Sequence, residues 1–136
     1  MNRESPAFVK TYDLLRWLLP ATAKFPKQQR FVLARQIEET AFAFHRELLR
    51  AGSNGWAALS EADHLLAVLR TYLRLACELK FFSVNQYEHA ARLVDELGRL
   101  VGGWKRRAAA GVRAAPSASR GRDVGAGPRP ARRVLE

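Results

Sequence analysis

From Tyr12 to Phe42 the chain reads YDLLRWLLPATAKFPKQQRFVLARQIEETAF, and no other stretch restricts the fold as much. Apolar residues recur at spacings of three and four on both sides of a proline-marked corner, and strand-type alternation is absent. Bases gather around the corner itself. The stretch therefore reads as helix, turn and helix, and a chain that contains it is committed to an all-α fold.

The rest of the sequence extends this pattern to four helical segments. The first opens at Ser5-Pro6, an N-cap residue followed by proline at the first helical position. Phe8, Tyr12, Leu15 and Leu19 form its expected core stripe, and Pro20 is expected to kink or end it. Ala21 to Lys24 add a short turn before the Phe25-Pro26 corner. A second helix is expected from about Lys27 to Ala51, with Leu33, Ile37, Ala41, Phe44 and Leu48 facing the core. Gly52-Ser53-Asn54-Gly55 reads as a stop and turn. A third helix follows from about Trp56 to Lys80, with Leu59, Leu66, Leu69, Leu73, Ala76 and Leu79 inside. Ser83-Val84-Asn85-Gln86 is a capping box. The fourth helix carries Tyr87, Ala91, Val94, Leu97, Val101 and Trp104 and is expected to end near Gly102-Gly103. Long helices joined by short turns pack antiparallel. The expected architecture is an up-down-up-down antiparallel four-helix bundle over residues 5–104. Residues 105–136 are rich in Ala, Gly, Pro, Ser and Arg and lack the apolar side chains that offset ordering entropy. They read as a disordered tail, even if helix four extends to about Ala110.

Charge narrows the choice of partner. There are 23 Lys and Arg against 13 Asp and Glu, a net of +10, with a pI near 10.8. From Lys105 onward 9 basic residues face 2 acidic ones, so most of the excess sits at the C-terminal end. Such a balance favours polyanions, and a basic terminal block reads as an interaction arm. The tail arginines are suited either to gripping RNA through its phosphates or to keeping the chain soluble. Cys77 is the only cysteine, which excludes an intrachain disulfide and agrees with a reducing cytosol. No signal-type apolar stretch opens the chain, and no apolar run is long enough for a membrane helix. A cytoplasmic protein is expected.

Catalytic and metal-binding patterns are weak. Glu61-Ala62-Asp63-His64 offers one Glu-x-x-His at helical spacing, but a bundle di-iron site needs a second. Phe42 stands three residues before His45, and Gln86 three before His89. Glu61 and Asp63 instead suit the first turn of a helix, where acids meet the positive end of the dipole. Cys77, between Ala76 and Glu78, reads as a small packed residue. No phosphate-cradling glycine loop is present. The chain is expected to lack enzymatic activity, cofactor and metal. The basic residues make the stronger pattern. Lys24, Lys27 and Arg30 surround the corner, with Arg35 further along. Arg70 and Arg74 stand one helical turn apart, and Arg92 and Arg99 stand two turns apart. Arginines in register along a helix can track phosphates, because each fork holds two oxygens. The competing reading is a solvated helix face, with Arg74 paired to Glu78.

Four segments, in order, carry a family resemblance: YDLLRWLLP at 12–20, KFPKQQRF at 24–31, LRTYLRLACELKFFS at 69–83 and QYEHAARLVDELGRLVGGW at 86–104. Together they resemble the Avd-type accessory proteins of diversity-generating retroelements. That family is similar in fold to the four-helix-bundle proteins of ribosomal RNA intervening sequences, which share the FPK-type turn and a glutamine in helix two. Those proteins usually continue with a segment rich in Ser, Asn, Ala, Glu and Gly, where this chain has TAFAFHRELLRAG. The resemblance implies a non-enzymatic protein that forms a pentameric, barrel-like ring with a positive surface. It also implies association with the element's reverse transcriptase and with nucleic acid, in support of cDNA synthesis from the template-repeat RNA and mutagenic retrohoming. Error-prone chemistry at adenines would belong to the polymerase. Arg70 and Arg74 fall where the family is basic and rank first as binding residues, followed by Lys24, Lys27 and Arg30. Trp17, Leu18, Phe42 and Phe81 exceed the needs of one narrow core stripe, so they either line a subunit interface or widen the core. The Arg/Pro/Gly tail is not part of the shared pattern. The alternatives are an intervening-sequence-type bundle protein and an oligomeric scaffold that binds no nucleic acid.

Overall fold

A computed structural model describes residues 5–114, except for the side chains of 53, 54 and 112–114. The regular elements among them are all helical: α1 (Pro6–Thr22), a 3-10 turn (Lys27–Gln29), α2 (Leu33–Glu78) and α3 (Val84–Ala114). None is long and apolar enough to cross a membrane.

α1 starts where the Ser5-Pro6 signal places it. The Ser5 carbonyl accepts from the amides of Phe8 and Val9 at 3.1 and 3.2 Å, although its hydroxyl makes no capping bond. Pro20 stands inside α1, which continues only to Thr22. The Thr22 hydroxyl donates back to the Leu18 carbonyl at 3.1 Å and reaches Glu38 Oε2 of α2 at 2.6 Å.

The corner that follows differs from the expected helix start at Lys27. Gln29 N–H donates to the Pro26 carbonyl at 2.7 Å in a 3-10 turn, Val32 sits at φ −116° and ψ −90°, and α2 begins only at Leu33. Phe25 accounts for the delay. It is 1% exposed, with its ring centroid 5.4 Å from Phe81 and 4.9 Å from Phe82. Anchoring that ring in the core sets the path of the corner, and the moderate helix propensity of KQQR gives way.

The expected break at 52–55 is present but narrower, confined to Gly55. Helical hydrogen bonding runs through most of it, and Gly55 alone leaves the helical region, at φ 51° and ψ −117°. That conformation is open to glycine and strained for other residues. The segments of α2 before and after Gly55 are therefore two helices, the second and third of four.

α2 ends at Glu78 rather than Lys80, in a Schellman arrangement. Phe81 N–H donates to Ala76 at 2.8 Å and Lys80 N–H to Cys77 at 3.0 Å, with Lys80 at φ 68°. The Ser83–Gln86 capping box forms as expected: Ser83 N–H donates to Gln86 Oε1 at 2.8 Å, and Gln86 N–H to Ser83 Oγ at 3.1 Å. α3 then continues through Gly102-Gly103, the expected stop, to Ala114. Each helical glycine costs about 1 kcal/mol relative to alanine, a cost that packing on one side and the helix-forming KRRAAA on the other outweigh. The start of the segment expected to be a tail is thus helical, and residues 115–136 lie outside the described residues. Contacts divide the chain into a unit ending at Lys105 and another beginning at Arg106.

The core follows the expected stripes in α2 and shifts in α1. Leu33, Ile37, Ala41, Phe44 and Leu48 are buried, as are Leu59, Leu66, Leu69, Leu73 and Ala76. Leu79 is not, being 51% exposed beyond the helix end. In α1 the buried stripe is Ala7, Thr11, Leu14, Leu18 and Thr22, one register step from Phe8, Tyr12, Leu15 and Leu19. Small side chains at 7, 11 and 22 let α1 approach its neighbours closely, and the bulkier set lies at the flank. Of the apolar surplus, Leu18 belongs to the core and Phe81 packs on Phe25. In α3, Ala90, Val94, Leu97 and Val101 are buried. Each fully buried Leu, Val or Phe contributes roughly 1.5–3 kcal/mol.

Side-chain contacts join α3 both to α1 and to the part of α2 after Gly55, early residues of one helix meeting late residues of the other. Phe8 meets Trp104 at 6.1 Å between centroids, Lys10 meets Glu96 at 3.4 Å, and Trp17 meets His89 at 5.0 Å. Asp63 meets Lys105 at 3.3 Å, and Arg70 meets Asp95 at 3.2 Å.

Candidate nucleic-acid interface

The eight basic residues singled out by the sequence fall into three environments. Arg70 and Arg74 share a face of α2, yet each already holds a carboxylate. The Arg70 guanidinium reaches across to Asp95 of α3 at 3.2 Å. Arg74 donates through Nε to Glu78 at 3.0 Å, the intrahelical pair weighed as the solvated-face reading. That carboxylate raises the Arg74 pKa above its ordinary value, first through the hydrogen bond and then through its charge. Arg35 is paired in the same manner with Glu39 at 3.0 Å. A phosphate approaching these three arginines must compete with a carboxylate already in place.

Arg92 and Arg99 border a shallow surface depression with Asp95 and Glu96 between them. Neither makes an ion pair among the described residues, but two acids in the same depression offset their field. The depression is therefore mixed in sign.

The corner is different. Between Asp13 and Glu38 the sequence contains no acidic residue, while Arg16, Lys24, Lys27, Arg30 and Arg35 all fall there. Lys24, Lys27 and Arg30 are exposed and make no ion pair among the described residues. Arg30 is held in place instead by its Nε–H, which donates to the Phe25 carbonyl at 3.4 Å. Lys80 adds a cation that the sequence did not single out. It directly precedes Phe81, whose ring packs on Phe25, so the turn carrying Lys80 is joined to the corner carrying Lys24. Lys80 too is exposed, with no ion pair among the described residues. Its positive φ could not be read from the sequence, because lysine carries no signal for a left-handed cap.

Phe31 is the second residue that sequence reasoning missed. At 75% exposure it is the most exposed large apolar side chain among the described residues, next to Val32 at 59%. Leaving such a ring in water forgoes roughly 1.5–3 kcal/mol of burial. It is outside because α2 starts late: on a helix running from Lys27, Phe31 would precede the buried Ala34 by one turn.

The residues considered for metal or nucleophilic chemistry have ordinary structural surroundings. Asp63 accepts from Lys105, whose Nζ also lies 5.2 Å from the Trp56 ring centroid. Glu61 and His64 are exposed, and Cys77 is half-buried.

A comparison with curated proteins finds no match. A family model described as bAvd-like matches residues 8–108. That span contains nearly all of α1, the basic corner, both parts of α2 and most of α3, and with it all eight basic residues weighed above. On a match of that extent, the chain belongs to the bAvd-like family.

Proposed function

We propose that the protein is a non-catalytic accessory factor of a diversity-generating retroelement. It binds the element's reverse transcriptase and nucleic acid, either template RNA or cDNA, and so supports mutagenic retrohoming. The observation that carries this reading is the family match over residues 8–108, which spans a corner where Lys24, Lys27 and Arg30 make no ion pair among the described residues. Phosphate neutralisation by such a surface is sequence-tolerant and steeply salt-dependent, as suits a factor that holds a template while a polymerase does the chemistry. No cofactor or metal takes part. The order of helix contacts supports an up-down-up-down bundle, in which the chain folds back at Gly55. The exposed flank formed by Val9, Tyr12 and Leu49 supports association of such bundles, in the ring of five that the family resemblance implies. The factor works in the cytoplasm.

The test is co-purification of the full chain with the cognate reverse transcriptase, with light scattering on the chain alone. A stable complex and a protomer mass multiplied about fivefold are expected. A monomer that ignores the polymerase overturns the reading.

A further inference from the structure

We infer that Phe31 is a stacking platform for an unpaired base, and that Lys27 and Arg30 hold the adjoining phosphates. The preferred ligand is then single-stranded nucleic acid rather than a duplex. This rests on the nucleic-acid reading above and deepens it.

Three observations converge on the corner. First, the ring is 75% exposed, and the 3-10 turn and the off-helix Val32 place it outside the register that would bury it. Second, Arg30 directly precedes it and Lys27 stands four residues before it, both exposed and without ion pairs among the described residues; Lys24 and Lys80 extend the same positive field. Third, Arg30 is oriented by its bond to the Phe25 carbonyl, and Phe25 is locked in the core, so the cation beside the ring has a fixed base. A flat aromatic face flanked by cations is what a single strand requires: stacking engages any base, and phosphate contacts track the backbone. A duplex hides its bases and leaves Phe31 without a partner. A protein partner could also cover Phe31 and Val32, but the absence of acidic residues from Leu14 to Ile37 favours a polyanion.

The test uses the full chain and two labelled strands of about ten nucleotides, an oligoadenylate and an abasic strand of the same length. Their phosphates are equal, so the difference in affinity reads stacking alone. The wild-type chain is expected to prefer the base-bearing strand by about five- to tenfold, the lower range for one stacked base. Phe31→Ala removes that preference while the salt dependence stays the same, and Phe31→Trp restores it. Lys27→Ala with Arg30→Ala weakens both strands together and flattens the salt dependence. If the wild-type chain binds both strands equally, or if Phe31→Ala keeps the preference, the platform is overturned and the accessory function stands. If neither strand binds, the platform and the nucleic-acid half of the proposed function both fall. If Phe31→Ala releases the polymerase while the base preference persists, the corner is a protein-docking surface and the platform is likewise overturned.

Discussion

The guanidinium of Arg70 lies over Gly98: its Nη2 is 3.2 Å from the point where a Cβ at Gly98 would stand. The same nitrogen is 3.2 Å from Asp95 Oδ1, one helical turn before Gly98 on α3. The bare glycine leaves room for the arginine to cross from α2 and reach the carboxylate. An inter-helix ion pair thus occupies the position that the family resemblance ranks first for binding.

Gly98→Ala tests how much that seat matters. Alanine adds about 0.8–1 kcal/mol of helix propensity. Against this, the displaced group is the flexible end of a side chain in a half-exposed pair worth about 0–1 kcal/mol. The variant is expected to gain a few tenths of a kcal/mol, on balance, in denaturant unfolding. A loss above about 1 kcal/mol would show that Arg70 carries more of the α2–α3 contact than an exposed ion pair does.

Binding should rank the corner above the α2 arginines. Lys27→Ala with Arg30→Ala removes two cations that have no carboxylate partner among the described residues. Arg70→Ala with Arg74→Ala also frees Asp95 and Glu78, so it too makes the surface more acidic, yet it removes groups that were partly committed. Titration with RNA at matched salt is expected to show the larger loss for the corner pair, with both variants fully folded. A larger loss for Arg70 and Arg74 would restore them to first rank, and equal losses would set the two pairs level.

Lys80 is a stability test. A non-glycine residue in the left-handed region costs about 1–2 kcal/mol. Lys80→Gly relieves that strain but increases the freedom of the unfolded chain. A net stabilisation of up to about 1 kcal/mol is expected, seen as a higher melting temperature. If Lys80→Gly destabilises, the lysine side chain must be making a contact that outweighs its backbone strain.

Truncation after Arg107 should leave the melting temperature nearly unchanged. Among the described residues the buried side chains end at Val101, and the last clamp on α2 is Lys105, with its contacts to Asp63 and Trp56. A drop of several degrees, roughly 1 kcal/mol, would mean that residues beyond 107 pack on the bundle.

Legibility varied from element to element for physical reasons. In the first part of α2 one apolar stripe, Leu33 to Leu48, has no rival, and it is the one that is buried. α1 offers two adjoining stripes with the same spacing, and periodicity cannot choose between them. Close packing chooses the stripe with Ala7 and Thr11, because small residues let helices approach. At the corner, Phe25 and Phe31 are equivalent as letters, and only tertiary contacts send one ring inward and the other out. The charge pattern divides in the same way. Arg74–Glu78 could be read at i,i+4, whereas Arg70 and Asp95 are 25 residues apart in sequence and meet only in the fold.

Gly55 has a consequence for how these molecules could entangle. A β-carbon there penalises φ 51° and favours the helical state, in which α2 would be an unbroken rod of 46 residues, about 69 Å long. The stripe from Leu33 to Leu48 and the stripe from Leu59 to Ala76 would then lie along one rod, with no fold-back between them in one chain. Each would be covered by the matching half of a second molecule, a domain swap with unchanged helical content and twice the chains per folded unit. Whether α2 can turn back within one chain thus depends on one missing methyl group.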